Sequence, residues 1–131
     1  MKKTQVLIID EHPHVRRALA ARLATTPHIQ VMATAASVEE GLAAAARKHP
    51  DVVLLGLKTQ EKLRDTSDIR GLSHQLGNYG AGLIVLTTYA VDEERKNMMD
   101  AGAKRYLLKN IDSRSLIAEI NAVFPAAPAV L

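Results

Sequence analysis

Residues 6–19 read VLIIDEHPHVRRAL and combine an apolar run, an acidic pair and the start of a helical pattern. The run Val6–Ile9 does not alternate with polar residues, which is typical of a strand covered on both faces. Pro13 suits a first helical turn, and apolar residues then recur every four positions through Leu23. The segment therefore predicts a buried strand that ends at Asp10-Glu11 and leads directly into a helix.

Apolar runs of the same kind recur along the chain. They lie at residues 52–55, 83–86 and 106–108, and a weaker, partly alternating candidate at residues 29–33 suits a sheet edge. Continuous runs of this length are typical of parallel strands, whose two faces are both covered by helices.

Helical patterns fill the intervals between these runs. Ser37 and Glu40 have the spacing of a capping box. Asp68 is a candidate N-cap for a short helix closed by Gly77, and acidic residues 92–94 favour another helix N-terminus. A last helix opens at residue 112 or 113. The alternation predicts one α/β domain over residues 1–124, with a parallel sheet between helices, and residues 125–131 are interpreted as a tail or linker stub.

The amino-acid composition argues against several classes of protein, namely those that use cysteine, bind nucleic acid directly or span a membrane. The 131 residues include 17 Lys and Arg against 14 Asp and Glu, 47% hydrophobic residues and no cysteine. The absence of cysteine excludes disulfides, thiolate metal sites and cysteine nucleophiles. Basic residues are scattered and aromatic residues are few, so we do not expect this domain to bind nucleic acid directly. No apolar run is long enough to span a membrane, and we expect a cytoplasmic protein.

Polar residues stand at the carboxyl ends of the predicted strands, where open α/β sheets bind ligands. They are Asp10 and Glu11, Thr87 and Lys109, whereas the run at residues 52–55 ends in Gly56. Carboxylates suit Mg²⁺, whereas a hydroxyl and an ammonium suit the oxygens of a phosphoryl group. The set lacks a nucleophile at its centre.

Four motifs resemble the response-regulator receiver domain, in particular the LuxR/NarL type that precedes a DNA-binding domain. They read VLIIDEHPHVRRAL, DVVLLGL, IVLTTYA and AGAKRYLLKN, within a likeness that covers residues 5–124. The resemblance implies a flavodoxin-like (βα)5 fold, a doubly wound parallel sheet with strand order 2-1-3-4-5. It also implies a part in two-component phosphorelay signal transduction and in transcription regulation.

The resemblance also carries roles to individual residues. Asp10 and Glu11 match the acidic pair that holds Mg²⁺ in the family. Thr87 matches the hydroxyl residue that moves toward the phosphoryl group, and Tyr106 matches the aromatic residue whose rotamer follows it. Lys109 matches the lysine that pairs with the aspartyl phosphate.

Gly56 departs from the family pattern, because it falls where the family places its phospho-accepting aspartate. A glycine can neither attack a phosphodonor nor supply the third protein ligand of Mg²⁺, so metal binding by Asp10 and Glu11 is expected to be weak or vestigial. Without an acceptor carboxylate, Lys109 is expected to pair with Asp10 or Glu11. The loop over residues 57–68 also lacks the Met-Pro pair that is usual in the family.

These observations favour a pseudo-receiver that is not an enzyme and acts by protein–protein contact through the Asp92–Phe124 face. The partner is a second copy or another signalling protein, and the parent protein is expected to carry a DNA-binding output domain after Leu131. One alternative is a sensor that binds a small molecule or anion beside Lys109 and Thr87. Another is a conventional phospho-accepting receiver, if Gly56 is an engineered change.

Two further sites are weaker alternatives. Asp65 or Asp68 could stand in as phospho-acceptor, although neither follows a strand. Acids and imidazoles over residues 10–14 could recruit a transition metal.

Overall fold

A computed structural model describes residues 2–57 and 66–125 of the chain. The strands are β1 (Thr4–Ile9), β2 (Ile29–Ala35), β3 (Val52–Gly56), β4 (Gly82–Thr87) and β5 (Arg105–Leu108). The helices are α1 (Pro13–Ala24), α2 (Val38–Arg47), α3 (Ser67–Asn78), α4 (Asp92–Asp100) and α5 (Ser113–Val123). All strand pairs are parallel, and the sheet order is β2-β1-β3-β4-β5. This confirms the fold and the strand order that the resemblance implied.

Both faces of the sheet are covered by apolar helix faces. Because successive side chains in a strand point to opposite faces, Leu7 and Ile9 join one core cluster while Val6 and Ile8 join the other. Helices α2, α3 and α4 supply the first cluster, and α1 and α5 supply the second. The apolar runs do not alternate because neither face of the central strands is solvated.

Most local signals in the sequence act as predicted. Ser37 is the N-cap of α2 and its side chain accepts a hydrogen bond from the backbone N–H of Glu40. Asp112 caps α5 by accepting from the N–H of Ser115 at 2.8 Å. Pro13 is the first residue of α1, where its missing N–H costs nothing.

Three boundaries differ from the sequence prediction. β2 runs on to Ala35, because its carbonyl accepts a hydrogen bond from the N–H of Asp10 and so prolongs the pairing with β1. Asp68 is not the N-cap of α3; Thr66 holds that position and Asp68 lies in the first turn. α3 also passes through Gly77, and the left-handed residue that follows its end is Gly80, with a φ of 72°.

Some predictions fall outside the described residues. They concern the tail beyond Pro125, and most of the loop between β3 and α3, including Asp65. Over the ranges that are described, no helix is long and apolar enough to cross a membrane.

Candidate functional site

The carboxyl edge of the sheet brings together the residues that follow β1, β3, β4 and β5. Backbone hydrogen bonds continue the pairing past the strand ends. The N–H of Leu57 donates to the carbonyl of Leu86, and the N–H of Lys109 donates to the carbonyl of Thr87, both at 2.8 Å. The strand pairing therefore continues to the residues that carry the functional side chains.

Asp10 and Lys109 form an ion pair across this edge. Nζ of Lys109 lies 2.8 Å from Oδ2 of Asp10, and the two side chains are 13% and 1% exposed. Within residues 2–57 and 66–125, Oδ2 of Asp10 has no hydrogen-bond partner besides the ammonium of Lys109. Of the two acids considered from the sequence, Asp10 is thus the one that neutralises Lys109.

Gly56 provides the space for this contact. A Cβ atom built on Gly56 would stand 1.8 Å from Oδ2 of Asp10 and 3.1 Å from Cε of Lys109. The first distance is far shorter than any real carbon–oxygen contact, so a side chain here requires Asp10 to move. The carboxylate and the lysine stem occupy the volume that a side chain at residue 56 would enter.

Further hydrogen bonds hold Asp10 in place. Its Oδ1 accepts from the backbone N–H of His12 at 2.9 Å, and its carbonyl accepts from Nη1 of Arg16 at 2.7 Å. Both carboxylate oxygens are therefore engaged, and residue 56 has no side-chain oxygen. Mg²⁺ requires near-octahedral oxygen ligation. The residues as arranged do not fit a magnesium site, because Oδ2 of Asp10 is paired with the ammonium of Lys109 and residue 56 offers no side-chain oxygen.

Glu11 lies at the surface, with a side chain that is 39% exposed. Its Oε1 is 3.5 Å from Nε2 of His12, and the rings of His12 and His14 are 5.7 Å apart. Among the residues that the structure describes, no three or more His, Cys, Asp or Glu side chains are grouped to hold a metal ion. The structure therefore shows no cluster of metal ligands over residues 10–14, where the sequence suggested a transition-metal site.

Thr87 and Tyr106 are brought together by a third residue, Glu94. The hydroxyl of Tyr106 donates to Oε1 of Glu94 at 2.6 Å, and Oγ1 of Thr87 lies 3.2 Å from the same oxygen. Oγ1 of Thr87 is also 3.1 Å from the carbonyl oxygen of Tyr89. The Tyr106 hydroxyl in turn accepts the N–H of Val91 at 3.2 Å. One carboxylate thus links the ends of β4 and β5 to the first turn of α4.

The sequence analysis missed Glu94 as a site residue and treated it only as an acid that favours a helix N-terminus. The sequence alone did not single it out, because only the structure shows which face of α4 is buried. Met98 is fully buried under α4, and residues four apart share a helix face, so Glu94 is placed on the inner side of its helix. Its neighbour Glu93 is exposed.

Replacing Lys109 by Ala is expected to lower the free energy of unfolding by about 3 kcal/mol, because it leaves a buried carboxylate without its counter-charge. Chemical denaturation at neutral pH measures the loss. Adding Asp10→Asn to this variant removes the stranded charge and should restore much of the stability. Lys104→Ala, an exposed lysine before the other end of β5, is the control and should change stability by less than about 0.5 kcal/mol. A Lys109→Ala protein as stable as that control would contradict the structural role of the pair.

Burial, followed by the hydrogen bond to Glu94, raises the pKa of Tyr106 above its ordinary value of 10.0. The folded state therefore holds the phenol proton more tightly than the unfolded state. The resulting stabilisation is present below pH 10 and is lost as the pH rises through the folded-state pKa. NMR titration of 13Cζ-labelled tyrosine, with the resonance assigned from Tyr106→Phe, should show ionisation above pH 10. Ionisation at or below pH 10 would argue against the buried hydrogen bond.

The comparisons with known proteins agree with this geometry. The family described as the response regulator receiver domain matches residues 6–121. The transcriptional regulatory protein LiaR of Bacillus subtilis is 32% identical over 124 residues, which cover 95% of this chain and 57% of LiaR. The nitrate/nitrite response regulator protein homolog of Haemophilus influenzae is 30% identical over 121 residues, 92% of this chain and 57% of that protein. The chain thus spans somewhat more than half the length of these curated relatives.

A solved structure shows the same fold. The signal receiver domain of the putative response regulator NarL from Mycobacterium tuberculosis aligns with a TM-score of 0.80 at 18% identity, covering 96% of this chain and 100% of that chain. The family match extends over nearly all of the described residues, and the sheet order is the one that the family resemblance implied. The chain therefore belongs to the response regulator receiver domain family.

Proposed function

We propose that this chain is a pseudo-receiver: a two-component signalling module that is not phosphorylated at residue 56 and works by contact with other proteins. One observation carries the proposal. The Asp10 carboxylate stands where a side chain of residue 56 would begin, and it is paired with Lys109. The position that the resemblance gives to the acceptor thus has no nucleophile and no free volume.

The surroundings of Gly56 support the same proposal. Asp68, one of the two stand-in acceptors considered from the sequence, is exposed in the first turn of α3 and does not follow a strand. A phosphoryl group also needs an available cation, and the charge of Lys109 is already neutralised. For the same reason, nothing favours the alternative of an anion sensor beside Lys109 and Thr87. The proposal includes no catalytic step and no resident Mg²⁺.

Exposed apolar side chains support a contact surface on the α4–β5 side of the molecule. Among the described residues, the large hydrophobic side chains that are most exposed are Tyr89, Val91, Met99 and Leu108. All four lie in or directly before the Asp92–Phe124 face. Leu108 and Tyr106 are two residues apart on an edge strand and so share one side of it. An apolar group on a charged surface is suited to a protein partner, either a second copy or another signalling protein.

The parent protein is proposed to be a cytoplasmic transcription regulator with a DNA-binding output domain. Support comes from LiaR, which is a transcriptional regulatory protein and of which this chain matches 57%. Binding at the contact surface would then change the activity of the DNA-binding domain in such a protein.

Beryllofluoride with Mg²⁺, which mimics an aspartyl phosphate where a carboxylate can hold it, tests the pseudo-receiver proposal. Two-dimensional NMR should show no shift of Thr87, Tyr106 or α4 in the unmodified protein at millimolar reagent. Gly56→Asp should respond, because it restores a carboxylate at residue 56, with Asp10 rotating away from the new side chain. Gly56→Asn adds a side chain of the same size without the carboxylate and is the matched control. A response of the unmodified protein would overturn the proposal.

Charged substitutions test the contact surface. Met99→Glu and Leu108→Glu should each weaken assembly about tenfold or more, because a charge would be buried in an apolar contact. Sedimentation measures self-association, and titration measures binding of an identified partner. Ala43→Glu places the same charge on an exposed position of α2 and should leave assembly unchanged. Assembly that survives both substitutions would rule out this face.

A further inference from the structure

Glu94 contacts the hydroxyl groups of both residues that the resemblance identifies as the switch, and it shares the Thr87 hydroxyl with the carbonyl of Tyr89 at 3.1 Å. Its Oε1 accepts from the Tyr106 hydroxyl at 2.6 Å and lies 3.2 Å from Oγ1 of Thr87. The first of these is short, as expected for a hydroxyl that donates to a carboxylate. Because Thr87 is 6% exposed, its hydroxyl is largely shielded from water that could replace the contact. The two side chains are therefore held by one group on a different element.

Tyr106 is also tied to the beginning of α4. The N–H of Val91, the residue directly before α4, donates to its hydroxyl at 3.2 Å. Val91 is 46% exposed, and Tyr89 is 80% exposed. A displacement of the Tyr106 ring would thus remove a hydrogen bond at the helix entry, where the exposed apolar residues begin.

The Thr87 hydroxyl has its contacts on the α4 side and not on the Asp10–Lys109 side. Oγ1 of Thr87 lies near Glu94 and accepts from the N–H of Tyr89 at 3.4 Å. Lys109 reaches Thr87 through a backbone hydrogen bond, while its ammonium pairs with Asp10. The state of the Thr87 hydroxyl is therefore set by α4 more directly than by the pocket at Gly56.

We propose that Glu94 is a latch: a positioning residue that holds Thr87 and Tyr106 in one arrangement and couples them to the start of α4. A partner that docks on the α4–β5 surface would reset the arrangement by drawing Glu94 away, so that input enters through the helix instead of through a phosphoryl group. This last step rests on the proposed function, whereas the latch itself rests on the contacts of Glu94.

Three variants of the full chain test the latch. Glu94→Ala removes the acceptor, Glu94→Gln keeps an acceptor oxygen without the charge, and Glu93→Ala removes an exposed neighbouring acid from the same helical turn. In Glu94→Ala, the coupling constants that report the χ1 angle of Tyr106 should move to values averaged over several rotamers. The amide signals of Thr87, Tyr89 and Val91 should shift with them.

The matched variants separate the latch from a general effect on α4. Glu94→Gln should retain the single rotamer of Tyr106, yet lower the pKa of its phenol, because the acceptor remains while the negative charge is gone. Glu93→Ala should leave both the rotamer and the phenol unchanged. Loss of stability alone, equal in the Glu94 and Glu93 variants, is what a role limited to the helix N-terminus predicts.

The latch is overturned if Glu94→Ala leaves the Tyr106 coupling constants and the Thr87 amide as they are in the unmodified protein. These measurements need no partner, so they are independent of the contact surface. If they respond while Met99→Glu and Leu108→Glu leave assembly intact, the latch stands and the proposed contact surface fails.

Discussion

The ion pair between Asp10 and Lys109 organises the carboxyl edge of this sheet. Asp10 follows β1, a strand in the interior of the sheet, and is 1% exposed. Removing a carboxylate from water to this degree costs several kcal/mol unless an opposite charge and hydrogen bonds replace the solvent. Lys109 supplies the charge, and the N–H of His12 supplies a hydrogen bond. Other features of the edge follow from this pairing, including the direction of the lysine stem and the absence of space in front of Gly56.

Gly56 and the ion pair depend on each other. The carboxylate lies where a side chain at residue 56 would start, and the stem of Lys109 passes close to the same point. A larger residue at position 56 would have to displace one or both partners. The glycine therefore affects more than the chemistry of one position, because it permits a direct contact between groups that begin on β1 and β5. In receivers with an acceptor aspartate, the resemblance gives that lysine a different partner.

A second network on the same edge is held by hydrogen bonds to a carboxylate and not by an ion pair. The hydroxyls of Thr87 and Tyr106 both contact Oε1 of Glu94. The N–H of Val91 donates to the Tyr106 hydroxyl and extends the network to the residue before α4. The two networks share the backbone of β4 and β5, through the bond between Lys109 and Thr87. Their side chains have separate partners. The buried pair and the network beside α4 are thus linked through the backbone and not through shared side-chain contacts.

The amino-acid sequence alone determined which strands and helices this protein contains and which residues stand at the carboxyl ends of β1, β3, β4 and β5. Apolar runs, capping residues and the proline at the start of α1 are local signals, so they predicted the alternating strands and helices and placed Asp10, Gly56, Thr87 and Lys109 at strand ends. The sheet order came from the family resemblance, because periodicity carries no information on which strands are neighbours. Only the tertiary structure decided that Lys109 pairs with Asp10 and not with Glu11, since burial separates the two acids. Only the tertiary structure likewise selected Glu94 from three consecutive acids, because helix rotation against β5 turns that carboxylate toward Thr87 and Tyr106.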